Sequence, residues 1–278
     1  MNSIYTFIDK LRRNEKIKYF FNLLSLISVI YLLNLIISEE VKFKELFNYT
    51  TIFVFTILLI FYSFLAISWS ALMKNGEIKK NYIIHWFYSV IGKYIPLGVG
   101  IPLLRFETKD SGLNDGSEKI LKNTIKELLL IILSSSSLAL IFFVEIYFGI
   151  PSFTLKVISV VVVIYSLILF LLKININFLN YLITNSFVSV FIAYLTYLQF
   201  GAVKLEFILG YLISSIISII AIGIPAGLGI REAVFIQLMN FSGTYADVEI
   251  FIATTRIYLI LFDLFIFTIM RFNKKLYK

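Results

Sequence analysis

The chain has 278 residues, 59% of them hydrophobic and 15% charged, with a mean hydropathy of +0.91 and a formal net charge of +8. Soluble domains carry about 45–50% apolar and about 25% charged residues, so the balance excludes an ordinary soluble fold and predicts an all-α polytopic membrane protein. The absence of cysteine and the single histidine exclude a disulfide framework and the usual zinc sites.

Residues 1–18 hold Lys10, Arg12, Arg13, Lys16 and Lys18 against Asp9 and Glu15. Ile4, Phe7, Ile8 and Leu11 fall at helical spacing opposite that charge, which predicts a short helix lying in the cytoplasmic interface. The apolar run 17–37 ends in "IISEE" with no small-residue cleavage pattern, so it is expected to be a retained anchor. Further spans are expected at about 50–72, 126–148, 152–172, 178–198 and 250–271, within one domain covering 1–278. The basic residues gather at the two ends, Arg271, Lys274, Lys275 and Lys278 closing the chain. That placement fits cytoplasmic termini in a plasma-membrane protein and not a nucleic-acid partner.

Two apolar regions, 82–105 and 205–241, are interrupted. One carries "IPLGVGIPLLRF" at 95–106 and the other "IPAGLGIREAVF" at 224–235, both in the frame I-P-x-G-x-G-I followed by an arginine. Loops 38–48 and 241–250 have more acid than base or no base at all, while 73–81 and 105–126 are lysine-rich. By the positive-inside rule each broken region then begins and ends on its own side of the membrane, giving about six spans plus two opposed hairpins, an inverted repeat. Two broken crossings occurring together satisfy the same charge count.

Pro225 ends a helix, Gly227 and Gly229 permit left-handed backbone, and a helix resuming at about Ile230 offers unpaired N–H groups that favour anions. Arg231 and Glu232 follow at once, and charges within a membrane mark functional sites. The first copy offers Lys93, Pro96 and Arg105, the two cations serving either substrate or the cytoplasmic interface. Asp263 lies seven residues after Arg256, about 10 Å along one helix face, so each is expected to meet a group from another segment. Glu127 and Glu145 are expected at the two ends of one span, Ser134 to Ser137 in helix packing, and His85 in an interfacial belt.

"IPAGLGIREAVF" resembles the signature of the lysylphosphatidylglycerol synthase transmembrane-region family, also called flippase-like proteins, and "GKYIP…R" is similar to its upstream motif. Leu97 replaces the glycine that the family usually has after the first proline, and Arg256 stands where it commonly carries another arginine. The resemblance implies a lipid flippase, a phospholipid or lipid-linked substrate, and no cofactor. It also implies that aminoacyl transfer belongs to a separate soluble domain, so an enzyme is not expected here. Two alternatives stand beside it. One is an integral-membrane enzyme acting on polyprenyl phosphates, although no nucleophile adjoins Arg231. The other is a membrane partner of a lipid-modifying synthase or glycosyltransferase.

Overall fold

The computed structural model describes residues 49–94, 101, 104–105, 117–148, 177–221, 227, 229–243 and 247–272. Seven α-helices are described: α1 (Tyr49–Met73), α2 (Lys80–Ser89), α3 (Ser117–Phe148), α4 (Asn177–Phe200), α5 (Leu205–Ile220), α6 (Ile230–Ser242) and α7 (Val248–Phe272). A 3-10 turn, Val90–Tyr94, extends α2. Among the described residues there is no strand. Helices α1, α3, α4 and α7 are long and apolar enough to cross a membrane, while α5 is a shorter apolar helix. The expected spans at 17–37 and 152–172, the interfacial helix and both basic termini lie outside the described residues.

The third expected span begins earlier than its hydropathy suggests. Helix α3 starts at Ser117 and runs 32 residues, about 48 Å. That exceeds a hydrocarbon core of roughly 30 Å, so the lysine-bearing first turns extend to the headgroup level. Hydropathy reads only the apolar part of such a helix, and Lys119, Lys122 and Lys126 hid its beginning.

Large apolar side chains such as Leu129, Leu133 and Leu140 are exposed on the outer faces, as expected where lipid replaces water as solvent. Inside, α1 packs on α4, and α3 on α4 and α5. Helices α5 and α6 form an antiparallel pair. Gly210 near the start of α5 lies under Met239 and Phe235 of α6, and Ser218 near its end lies against Gly227. Phe207, Phe235 and Phe251 join α5, α6 and α7 through ring contacts of 4.9 to 5.7 Å and are at most 1% exposed. Helix α7 touches α1, α2, α4, α6 and the 3-10 turn, so it meets both broken regions.

Three hydrogen bonds, made by two side chains, fix where the broken regions begin and end. Gln199 at the end of α4 donates to the Asp247 carbonyl just before α7, at 3.2 Å. The segment between them therefore starts and finishes at the same end of the bundle. Asn123 near the start of α3 donates to the Leu72 carbonyl and to Met73 Sδ at the end of α1, at 3.5 and 3.3 Å. The first broken region lies between those two points.

Candidate functional site

Pro225 and Pro96 lie outside the described residues. The glycines of the second motif do what the sequence asked of them. Gly227 has φ +63° and Gly229 +81°, both in the left-handed region that L side chains rarely enter. A Cβ on Gly227 would come within 2.5 Å of Ser218 Cβ, so close approach to α5 also requires glycine there. Gly229 is the N-cap of α6, and its N–H donates to Glu232 Oε2 at 2.7 Å, the returning half of a capping box. The first turn of α6 keeps its remaining N–H groups without intrahelical acceptors.

Arg231 then points back at α5. Its Nη1 donates to the Tyr211 hydroxyl at 3.2 Å, and Nη2 and Nε donate to Ser218 Oγ at 3.2 and 3.4 Å. The guanidinium also lies 5.5 Å from the centre of the Tyr211 ring. Among the described residues it has no carboxylate in salt-bridge contact. Glu232 turns the other way. It is 0% exposed, and its Oε1 lies 3.5 Å from Arg256 Nε on α7.

The second charge on that face of α7 serves the first broken region. Asp263 accepts hydrogen bonds from Tyr62 of α1 at 2.6 Å and from Tyr94 at 2.5 Å, and pairs with Lys93 Nζ at 2.5 Å. Lys93 also donates to the Tyr62 hydroxyl at 3.0 Å. One helix thus gives each broken region an ion pair of opposite order, an acid for Lys93 and a base for Glu232. The expectation that Arg256 and Asp263 each meet another segment holds. The fields of Arg256 and Arg231 both reach Lys93, and that of Arg231 reaches Tyr94. Lys93, Arg231, Arg256, Glu232 and Asp263 are therefore one electrostatic group, with three cations to two carboxylates.

Arg105 belongs to a second cluster. It is 4% exposed and does not snorkel to the interface. Its Nη1 meets Glu127 Oε2 at 2.6 Å and Thr124 Oγ1 at 3.1 Å, and its Nε donates to Ser89 Oγ at 3.0 Å. The guanidinium also covers the Trp69 ring at 3.8 Å. Glu127 accepts on its other oxygen from Trp86 Nε1 at 2.7 Å. An arginine this far from water needs such a set of acceptors, and Glu127, placed at a span end by sequence, supplies the charge. Trp86 links the two clusters, because its ring meets the edge of Tyr62 with centroids 5.6 Å apart.

The sequence gives no sign of Tyr62, Tyr211 or Ser218, which sit in apolar helices without a motif. Tyr94 was within reach, since it lies between Lys93 and Pro96 in the quoted segment. His85 is 3% exposed and Glu145 5%, so both side chains are buried in the protein. Searches against protein-family models, curated proteins and solved structures found no match to this chain.

Proposed function

We propose that the chain is a lipid flippase of the lysylphosphatidylglycerol synthase transmembrane-region type, carrying a phospholipid or lipid-linked headgroup between leaflets. On this reading 82–105 and 205–241 are opposed re-entrant hairpins that form an inverted repeat. The same-end hydrogen bonds at Gln199 and Asn123 support that arrangement. The substrate's phosphate binds where the two hairpins face each other across α7.

The observation that carries the proposal is the charge of the central group. Lys93 is matched by Asp263 and Arg256 by Glu232, whereas Arg231 has only hydroxyl partners among the described residues. A part-buried guanidinium among apolar helices is costly without a counter-charge. It lies in the first turn of α6, where N–H groups and the helix dipole also favour an anion. A phosphate supplies the missing charge, with bidentate geometry suited to arginine.

The test is reconstitution of the protein in vesicles with a fluorescent phosphatidylglycerol, transport being read by quenching of the outer leaflet. Wild type moves the lipid, and Arg231→Ala, folded as judged by its unfolding midpoint, moves it at the protein-free rate. Equal transport by the two removes Arg231 from the site. Release of phosphate from a polyprenyl phosphate by the purified protein would replace the flippase reading by the enzyme one.

A further inference from the structure

Resting on that reading, we propose that anion binding is coupled to uptake of a proton by Asp263, so that the chain carries a phosphodiester and a proton together. The Asp263 side chain is 0% exposed, and its contacts among the described residues are two hydroxyls and one ammonium. Among the described residues Lys93 is its only full counter-charge in contact, and Lys93 is 27% exposed. The acid is thus sealed and its cation stands at the rim.

The groups on the elements packed against α7 sort simply. Tyr62 is the titratable group of α1 beyond the first residue of that helix, and Lys93 and Tyr94 come from the 3-10 turn. Helix α2 brings Tyr82, His85 and Tyr88 beyond its exposed first residue Lys80, and α6 brings Arg231 and the Glu232 that pairs with Arg256. Helix α4 carries tyrosines and no charged residue. Arg231 and Arg256 both act on Lys93 through space, and like charges repel, so Lys93 is held at Asp263 against an opposing field.

An anion arriving at Arg231 reverses that field. It neutralises the guanidinium and attracts the ammonium, whose four-carbon stem lets it move. As Lys93 turns to the anion, Asp263 is left with two neutral donors inside the protein. A buried carboxylate deprived of its cation is strongly disfavoured, and protonation removes the charge. The step balances: a hydronium ion gives its proton to a carboxylate oxygen of Asp263, leaving the neutral acid and water. The new O–H donates to the oxygen of Tyr62 or Tyr94, whose hydroxyl turns away. When the anion leaves on the other side, Lys93 returns and the proton departs with it. A phosphodiester monoanion and one proton make an electroneutral cargo, which removes the cost of moving net charge across the membrane potential.

The experiment is calorimetric titration of the full-length, detergent-solubilised protein with short-chain phosphatidylglycerol near neutral pH, repeated in buffers of differing ionisation enthalpy. A second arm uses inorganic phosphate. The expected result is uptake of close to one proton per anion bound. Asp263→Asn binds the lipid with no proton uptake, and Asp263→Glu restores it. Lys93→Met, which keeps the apolar stem, binds more weakly and also takes up no proton. Wild type binding the lipid without proton uptake overturns the coupling and leaves the flippase reading intact. Binding of neither probe overturns the anion site and the coupling with it. Equal binding of inorganic phosphate, with proton uptake that Asp263→Asn abolishes, supports the coupling and makes free phosphate the ligand in place of lipid.

Discussion

Replacing Glu127 by alanine tests the energetics of the buried polar network most simply. The change removes the 2.6 Å ion pair to Arg105 and the 2.7 Å bond from Trp86. Arg105 and Glu127 side chains are 4% and 5% exposed, so the arginine left behind cannot regain water without opening the bundle. Breaking a buried pair from one side costs about 3–5 kcal/mol. A stranded indole N–H costs about 1–3 kcal/mol more, although the two losses overlap. Thr124 and Ser89 still solvate the guanidinium in part, which places the expected loss at about 4 kcal/mol. Unfolding in mixed micelles, followed by far-ultraviolet circular dichroism, measures it. The paired change Arg105→Met with Glu127→Leu replaces both charges by apolar volume and is expected to recover at least half of the loss, because no orphan charge remains. A loss below about 1 kcal/mol in Glu127→Ala would refute the reasoning, since it would mean that Arg105 finds water there.

Gly227→Ala combines a left-handed backbone with a Cβ 2.5 Å from Ser218 Cβ; it is expected to displace the hairpin tip and reduce lipid transport at least tenfold, read in the vesicle assay. Gly210→Ala places its Cβ 2.5 Å from Met239 Cε, the far end of a flexible side chain. It is expected to destabilise by about 1–3 kcal/mol, and the added change Met239→Ala should return part of that in the same micelle unfolding experiment. Arg256→Met leaves Glu232 buried at 0% exposure with, among the described residues, only the Gly229 N–H bonded to it. A loss of about 3–5 kcal/mol is expected, with thermal denaturation as the check and relief by the further change Glu232→Gln as its control.

The sequence made the helical membrane class plain, because apolar runs of spanning length depend only on local composition. It also made the charged pair on α7 legible, since two opposite charges seven residues apart on an apolar helix need partners elsewhere. Which partners they meet depends on tertiary packing, and no pattern in α1 or α5 marks Tyr62, Tyr211 or Ser218. Arg105 shows the limit most sharply. Its position beside a polar loop reads as interfacial, and only the fold reveals Glu127, Thr124, Ser89 and Trp69 gathered around it. The start of α3 was hidden for a related reason, because hydropathy put the boundary near Glu127 while the helix begins ten residues earlier, at Ser117.

The central claim is that a lipid phosphate completes the charge around Arg231. Its most direct test is a structure of the protein in lipid discs that contain phosphatidylglycerol. Phosphate density is expected within hydrogen-bonding distance of the Arg231 guanidinium, at the start of α6, with Lys93 turned toward it. A guanidinium paired instead with a carboxylate of this chain, behind a closed apolar contact between the two hairpins, would contradict it.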